Sequence, residues 1–388
     1  MFEIKTLNKI SASGLNLLDA TKYTHADDFA DPDAVMVRSA SMHDMEFGAN
    51  LKAIARAGAG TNNIPVDKCA EQGIVVFNTP GANANAVKEL VLAGLFIASR
   101  RVIPAIDWVK TLKGEGDAVG KLVEKGKSAF AGPEIKGKSL GVIGLGAIGV
   151  LVANAAVHLG MKVYGYDPYL SVDSAWNLSH NVIHSNDIKD IYANCDYITI
   201  HVPLTPDTKG FINNESIAMM KDGVRILNFA RADLVNATDL LEQLDSNKVA
   251  AYVTDFPTDA VIGVDGVIAI PHLGASTPES EDNCAAMAAE ELIDYLENGN
   301  IRNSVNMPTA VMARTAGHKR ICVIHKNVPN MIAKITTAVS LPNVNIENMM
   351  NQSKKDYAYT ILDVEDANAA AVAAIESIED VIRVRVID

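Results

Sequence analysis

The 388-residue chain carries 47 acidic against 34 basic residues, a formal net charge of −13, and 48% of it is hydrophobic. This is enough apolar material for two or three domains with real cores, while the acidic balance disfavours nucleic acid or an anionic membrane as main partner, so an anionic ligand must meet a local basic pocket. Cys69, Cys195, Cys284 and Cys322 are widely spaced with no CxxC pair, the N-terminus lacks an apolar h-region, and no apolar run approaches the ~20 residues of a membrane span, which points to a cytoplasmic protein without zinc or disulfides.

In chain order, "AVMVRSA", "LKAIARAGAGTNNI" and "GIVVFNTPG" read as strand-bearing segments, followed by one long helical pattern, "AVKELVLAGLFIASRRVIPAI". Strands alternating with helices predict a parallel sheet covered on both faces. Between Leu112 and Gly137 the chain turns polar and glycine-rich and reads as a connection without core. Six strand segments follow, "SLGVIGLG", "KVYGYD", "CDYITIHVP", "VRILNFA", "KVAAYVTD" and "GVIAIPHLG", a doubly wound pattern. Thr277 and Pro278 open a helix that Gly299 stops. The last 70 or so residues have βαββαβ order, the pattern of a ferredoxin-like module. The expected fold class is α/β, with two Rossmann-like doubly wound parallel sheets and this C-terminal module.

Gly144, Gly146 and Gly149 form GxGxxG between a strand and a helix, with Ala147 and Ile148 among them, and Asp167 follows 18 residues later at the end of the next strand. Such a turn lets pyrophosphate approach the helix N-terminus, while the acid accepts hydrogen bonds from ribose hydroxyls. A carboxylate there repels the 2′-phosphate of NADP, and "DPYLSVD" offers no arginine, so NAD is the expected cofactor. Three further strand ends carry polar residues, in "ILNFARADLV", "VTDFPTDA" and "IAIPHLGAST". His272 suits proton exchange with an alcohol near neutral pH, Arg231 suits a carboxylate, and either Asp259 or Asp255 would orient the histidine. No HxH or HExxH spacing suggests a metal.

At these residues the sequence resembles the D-isomer-specific 2-hydroxyacid dehydrogenases, through "VRSASM", "ARAGAGTNNIPVDKCAEQGIVVFNTPGANANAVKEL", "GKSLGVIGLGAIG", "ITIHVPLTPDTKGFI", "ILNFARADLVN" and "IPHLGAST". The resemblance implies a substrate-binding domain from residues 1–88 and 274–306 around an NAD-binding domain at 89–273, then a linker at 307–317 and a regulatory domain at 318–388. It makes Arg231 the carboxylate-binding arginine and His272 the acid/base, and places His201, Pro203, Ala230 and Asp255 near the cofactor. The family's Asp-Val-Phe-x-x-Glu-Pro pattern aligns on Phe256, which puts Asp259 at the glutamate and Thr254 at the first aspartate.

Arg38, Ser39 and Arg56, with Gly58, Ala59, Gly60 and Asn83, resemble the substrate pocket of members that oxidise D-3-phosphoglycerate to 3-phosphohydroxypyruvate, the first step of serine synthesis. The tail resembles an ACT domain, whose serine-binding positions match His325, Asn327 and Asn345, with Asn330 where a glycine is usual. It implies L-serine as effector and a homo-oligomer, dimer or tetramer. The alternatives are a glyoxylate or hydroxypyruvate reductase of the same family and an NAD-sensing, corepressor-like binding protein.

Overall fold

The first sheet is built from short strands, β1 (Phe2–Leu7), β2 (Tyr23–Ala26), β3 (Ala34–Val37), β4 (Ala53–Arg56) and β5 (Val75–Asn78), all parallel in the order β2-β1-β3-β4-β5. Every residue of β3 is buried, as a strand covered on both faces must be. The computed structural model describes residues 1–340 and 344–388. Two compact units emerge, Met1–Asn83 with Pro278–Asp388, and Ala84–Thr277. Strands β1 and β2 were not anticipated from sequence, because "FEIKTL" and "YTHA" each bury a single side chain fully and show no apolar run.

The return helix Pro278–Asn298 ends at Gly299, whose φ of 69° supplies the left-handed residue such a stop requires. Four further strands, β13 (Lys319–Lys326), β14 (Ile346–Lys354), β15 (Tyr357–Val364) and β16 (Val381–Ile387), form an antiparallel sheet in the order β14-β15-β13-β16. With helices Met331–Ser340 and Ala369–Glu376 this is the βαββαβ arrangement. One face of this sheet is not free. Cys322, Ile324, Tyr359 and Ile361 share a core with Ile4, Phe77, Leu292 and Tyr295, so the tail is packed into the first unit. Residues 307–317, expected to be a linker, are tied down with it: the buried Arg320 donates to the carbonyls of Met312 and Ala313.

In the same unit the Glu291 carboxyl is buried; Oε1 accepts from Asn303 Nδ2 at 2.6 Å, and Oε2 has no hydrogen-bond partner among the described residues. Burial pushes its pKa up to about 8 from the ordinary 4.5, against the pull of Asn303. The folded protein therefore holds this proton where the unfolded chain has released it. The stability that Glu291 contributes falls as pH rises from about 4.5 to about 8 and then levels off. Glu291→Gln is expected to flatten that slope, read as the urea midpoint at about pH 5 and about pH 8.

The second unit holds a seven-stranded parallel sheet, from β6 (Ser139–Ile143), β7 (Lys162–Tyr166), β8 (Ile183–His184), β9 (Tyr197–Ile200), β10 (Val224–Asn228), β11 (Val249–Thr254) and β12 (Val267–Ala269), in the order β12-β11-β10-β9-β6-β7-β8. The seventh strand is β8, two exposed residues that carry no apolar signal. The long helical pattern divides into Ala84–Arg100 and Val102–Thr111, because Arg101 adopts φ 46°, and Pro104 is tolerated only in the first turn of the new helix. The polar stretch after Leu112 contains the helix Val119–Gly126, which buries no residue and so gave no core signal. No helix among the described residues is long and apolar enough to cross a membrane.

Candidate active site

The chain leaves β6 through Gly144, at φ 92°, where an added Cβ would lie 2.6 Å from the His201 carbonyl. Gly149 packs so close to the Gly144 carbonyl that a side chain there would collide with it, whereas a Cβ at Gly146 would meet nothing within 4 Å. The helix Ala147–His158 then starts at Gly146 with no side-chain cap. Uncapped amides above an open glycine make a cradle suited to a pyrophosphate, so these residues fit a dinucleotide.

Asp167 braces this turn, since Oδ2 accepts the Leu145 N–H and Oδ1 the Tyr169 N–H, both at 2.8 Å. Asp167→Ala is expected to weaken NADH use and to cut the preference for NADH over NADPH roughly tenfold, or ~1.4 kcal/mol. Initial rates with both cofactors check it, and an unchanged ratio removes Asp167 from cofactor choice. His201 Nε2 pairs with Thr199 Oγ1 at 2.9 Å, and burial pushes its pKa down to about 4. Burial thus favours its neutral form. Pro203 is exposed beside it, its carbonyl accepting from Thr208 at 2.7 Å.

At the ends of β10, β11 and β12 of the same unit, Arg231, Phe256 and His272 come together. The Phe256 and His272 rings lie 4.4 Å apart, and the Arg231 guanidinium carbon lies 5.5 Å from the Phe256 ring centre. Arg231 and His272 are exposed, and Arg231 Nη1 donates to the Ala230 carbonyl at 2.6 Å. The two aspartates differ sharply. Asp255 is buried, with Oδ2 accepting the Gly274 N–H at 3.3 Å and Oδ1 lacking any hydrogen-bond partner among the described residues. Burial raises its pKa, and the charges of His272 and Arg231, together with the Gly274 amide, oppose the rise. Asp259 is exposed, with no hydrogen bond or ion pair among the described residues.

In the first unit, β3 and β4 end at two arginines that feel each other's charge. Arg56 Nε donates to the Arg38 carbonyl at 3.0 Å, and burial, with Arg38 adding to it, pushes the Arg56 guanidinium below its ordinary range while nearby Cys284 opposes. Gly58 leaves no room for a side chain against that guanidinium, Ala59 accepts from Asn78 Nδ2 at 2.6 Å, and Gly60 and Asn83 are partly buried. Two residues here escaped the sequence reading. Asn8, at φ 69°, accepts the Ser39 and Ala40 amides, and Glu281 pairs with Arg38 at 2.6 Å. Neither lies near Arg38 in sequence, and only the fold brings them there.

In the tail, His325 is buried with both ring nitrogens engaged, by the Lys326 carbonyl at 2.8 Å and Thr360 Oγ1 at 3.0 Å. Asn327 is exposed and donates to the Lys355 carbonyl at 3.0 Å, and Asn345 is exposed. Asn330 has φ 67°, which explains why a glycine would suit that position and why asparagine is tolerated.

Residues 92–274 match the family model described as "D-isomer specific 2-hydroxyacid dehydrogenase, NAD binding domain". A hydroxypyruvate reductase of Thermotoga maritima is 39% identical over 276 residues, covering 68% of this chain and 85% of the relative. The chain belongs to the D-isomer-specific 2-hydroxyacid dehydrogenases. As a member of that family it is also 35% identical over 324 residues to a D-3-phosphoglycerate dehydrogenase of Methanocaldococcus jannaschii, covering 81% of this chain but only 59% of that one. The dehydrogenase fold is matched by the NAD+-bound 3-phosphoglycerate dehydrogenase of Entamoeba histolytica, with TM-score 0.61 and 27% identity over 79% of this chain and 98% of that structure.

Proposed function

We propose that the protein is an NAD-dependent D-3-phosphoglycerate dehydrogenase, forming 3-phosphohydroxypyruvate in the first step of serine synthesis, in the cytoplasm and as a homo-oligomer. The observation that carries the reading is the meeting of Arg231, His272 and the buried Asp255 at strand ends of the sheet that bears the glycine cradle. The nicotinamide would accept the hydride from C2. His272 takes the hydroxyl proton in that direction, and Asp255 favours the imidazolium that results. Arg231 presents two N–H groups to the substrate carboxylate and polarises the adjacent carbonyl in the reverse direction. Arg38 and Arg56 supply positive charge for the phosphate in an otherwise acidic chain.

The tail is proposed as an ACT domain with L-serine as effector, bound about His325, Asn327 and Asn345. The βαββαβ arrangement and the left-handed Asn330 support that reading.

A second reading, a hydroxypyruvate or glyoxylate reductase, is favoured by one contact: Glu281 already neutralises part of the Arg38 charge. Initial rates of NADH oxidation by 3-phosphohydroxypyruvate, hydroxypyruvate and glyoxylate, with and without millimolar L-serine, decide between them. A large kcat/KM advantage for the phosphorylated substrate supports the first reading. Equal use of the unphosphorylated acids retires Arg38 and Arg56 as phosphate ligands, and indifference to serine retires the effector assignment.

A further inference from the structure

We propose that Asn228 and Tyr252, buried behind the active site and touching neither substrate nor cofactor, are positioning residues that hold the Arg231 loop in register with the Asp255–Phe256 loop. The inference rests on the dehydrogenase reading above. Asn228 closes β10 and Thr254 closes β11, and the two are register partners in the parallel sheet. The chain turns from each strand end straight into site residues.

A fully buried amide at a strand end is costly unless its polar atoms are bonded. Here they are used on the turn itself. Asn228 Oδ1 accepts the Ala230 N–H at 3.1 Å, while Nδ2 donates to the Arg231 carbonyl at 2.8 Å and to the Tyr252 hydroxyl at 3.1 Å. One side chain thus clamps the backbone on both sides of the Ala230–Arg231 peptide. Tyr252, itself buried, lies two residues before Thr254 on β11, and Thr254 Oγ1 accepts the Phe256 N–H at 3.0 Å. The Arg231 backbone is thus tied through Asn228 to Tyr252 of β11, the Phe256 backbone is held by Thr254 of the same strand, and the Phe256 ring lies against both Arg231 and His272.

Nothing in the sheet requires this. An apolar residue at Asn228 would leave the Ala230 amide and Arg231 carbonyl unheld. The requirement comes from the loop geometry. A misplacement of ~1 Å in a substrate-positioning group costs about 10² in rate.

The test uses the full chain with Asn228→Ala, Tyr252→Phe and the double variant, reading kcat and KM for the oxo acid, NADH affinity by fluorescence titration, and the thermal midpoint. The expected result is a kcat/KM loss of about 10² for Asn228→Ala and about tenfold for Tyr252→Phe, with NADH affinity unchanged. The double variant should be no worse than Asn228→Ala, because the two residues act as one network. Tyr252→Phe removes a single hydroxyl, so it carries the test if Asn228→Ala does not fold. Folded variants with kcat/KM equal to wild type, or with NADH affinity falling in step, overturn the positioning role and leave the dehydrogenase reading intact. A wild-type protein that reduces no 2-oxo acid overturns both.

Discussion

Replacing His272 by alanine lowers kcat for oxo-acid reduction by about 10² to 10⁴, the contribution of a positioned acid/base, and leaves NADH affinity as it was. The two aspartates then separate by measurement. Asp255→Asn keeps the shape and the Gly274 hydrogen-bond acceptor but removes a buried carboxyl whose pKa the neighbouring His272 and Arg231 lower against burial. With that carboxylate gone the imidazolium is less favoured, so reduction, which consumes a proton, loses rate at lower pH than in wild type. A fall in kcat of roughly tenfold or more is expected alongside that displacement of the pH profile, as one lost charge interaction of ~1.4 kcal/mol implies. Asp259→Asn, at an exposed side chain, is expected to leave both quantities alone. The opposite ranking would return the role to Asp259 and make Asp255 a packing residue. Full turnover in His272→Ala would remove the histidine from the mechanism altogether.

Much of this arrangement is legible before folding, and the reason is local. The GxGxxG turn, Asp167 and the six apolar strands are coded within a few residues of one another, and apolar runs buried on both faces need no tertiary context to be read. What escaped are elements and contacts whose signal is non-local. Strands β1 and β2 bury only single residues, and Asn8 reaches Ser39 across about 30 positions. The Asp-Val-Phe alignment drew attention to Asp259 because it weighs order along the chain. The difference between the aspartates is burial, which the alignment does not contain. Likewise Asn228 stood in plain view in "VRILNFA", a polar residue at the end of an apolar strand, but Tyr252, one of its three partners, lies in another strand.

The sharpest departure from expectation is the tail, and it carries the second large prediction. Arg320, the second residue of β13, has no exposed surface. All of its N–H groups find acceptors: Nε and Nη2 reach Asp363 at 2.6 and 2.9 Å, Nη1 reaches the Asn298 and Met312 carbonyls at 2.8 Å each, and Nη2 the Ala313 carbonyl at 2.8 Å. Burial raises the Asp363 pKa, but Arg320 and the Thr315 hydrogen bonds outweigh it and hold the carboxyl below its ordinary value. This one side chain closes the C-terminal end of the return helix, fixes the segment before β13 and neutralises an acid on β15. Arg320→Ala is expected to cost about 3–5 kcal/mol, read as a fall in the urea midpoint, because it strands a buried charge. Exchanging the whole pair, Arg320→Met with Asp363→Leu, rescues many buried ion pairs, yet here it should recover only part of the loss. The carbonyls of Asn298 and Met312, on partly buried residues, would lose the donor that Arg320 gave them, each costing about 1–3 kcal/mol if left unpaired, whereas Ala313 is exposed and its carbonyl can turn to water. Full recovery in the double variant would mean that those carbonyls find other donors. Partial recovery makes Arg320 the bolt by which the tail and the parallel sheet of the first unit unfold together, so that a ligand bound to the tail would act on a rigid part of that unit rather than on a tethered one.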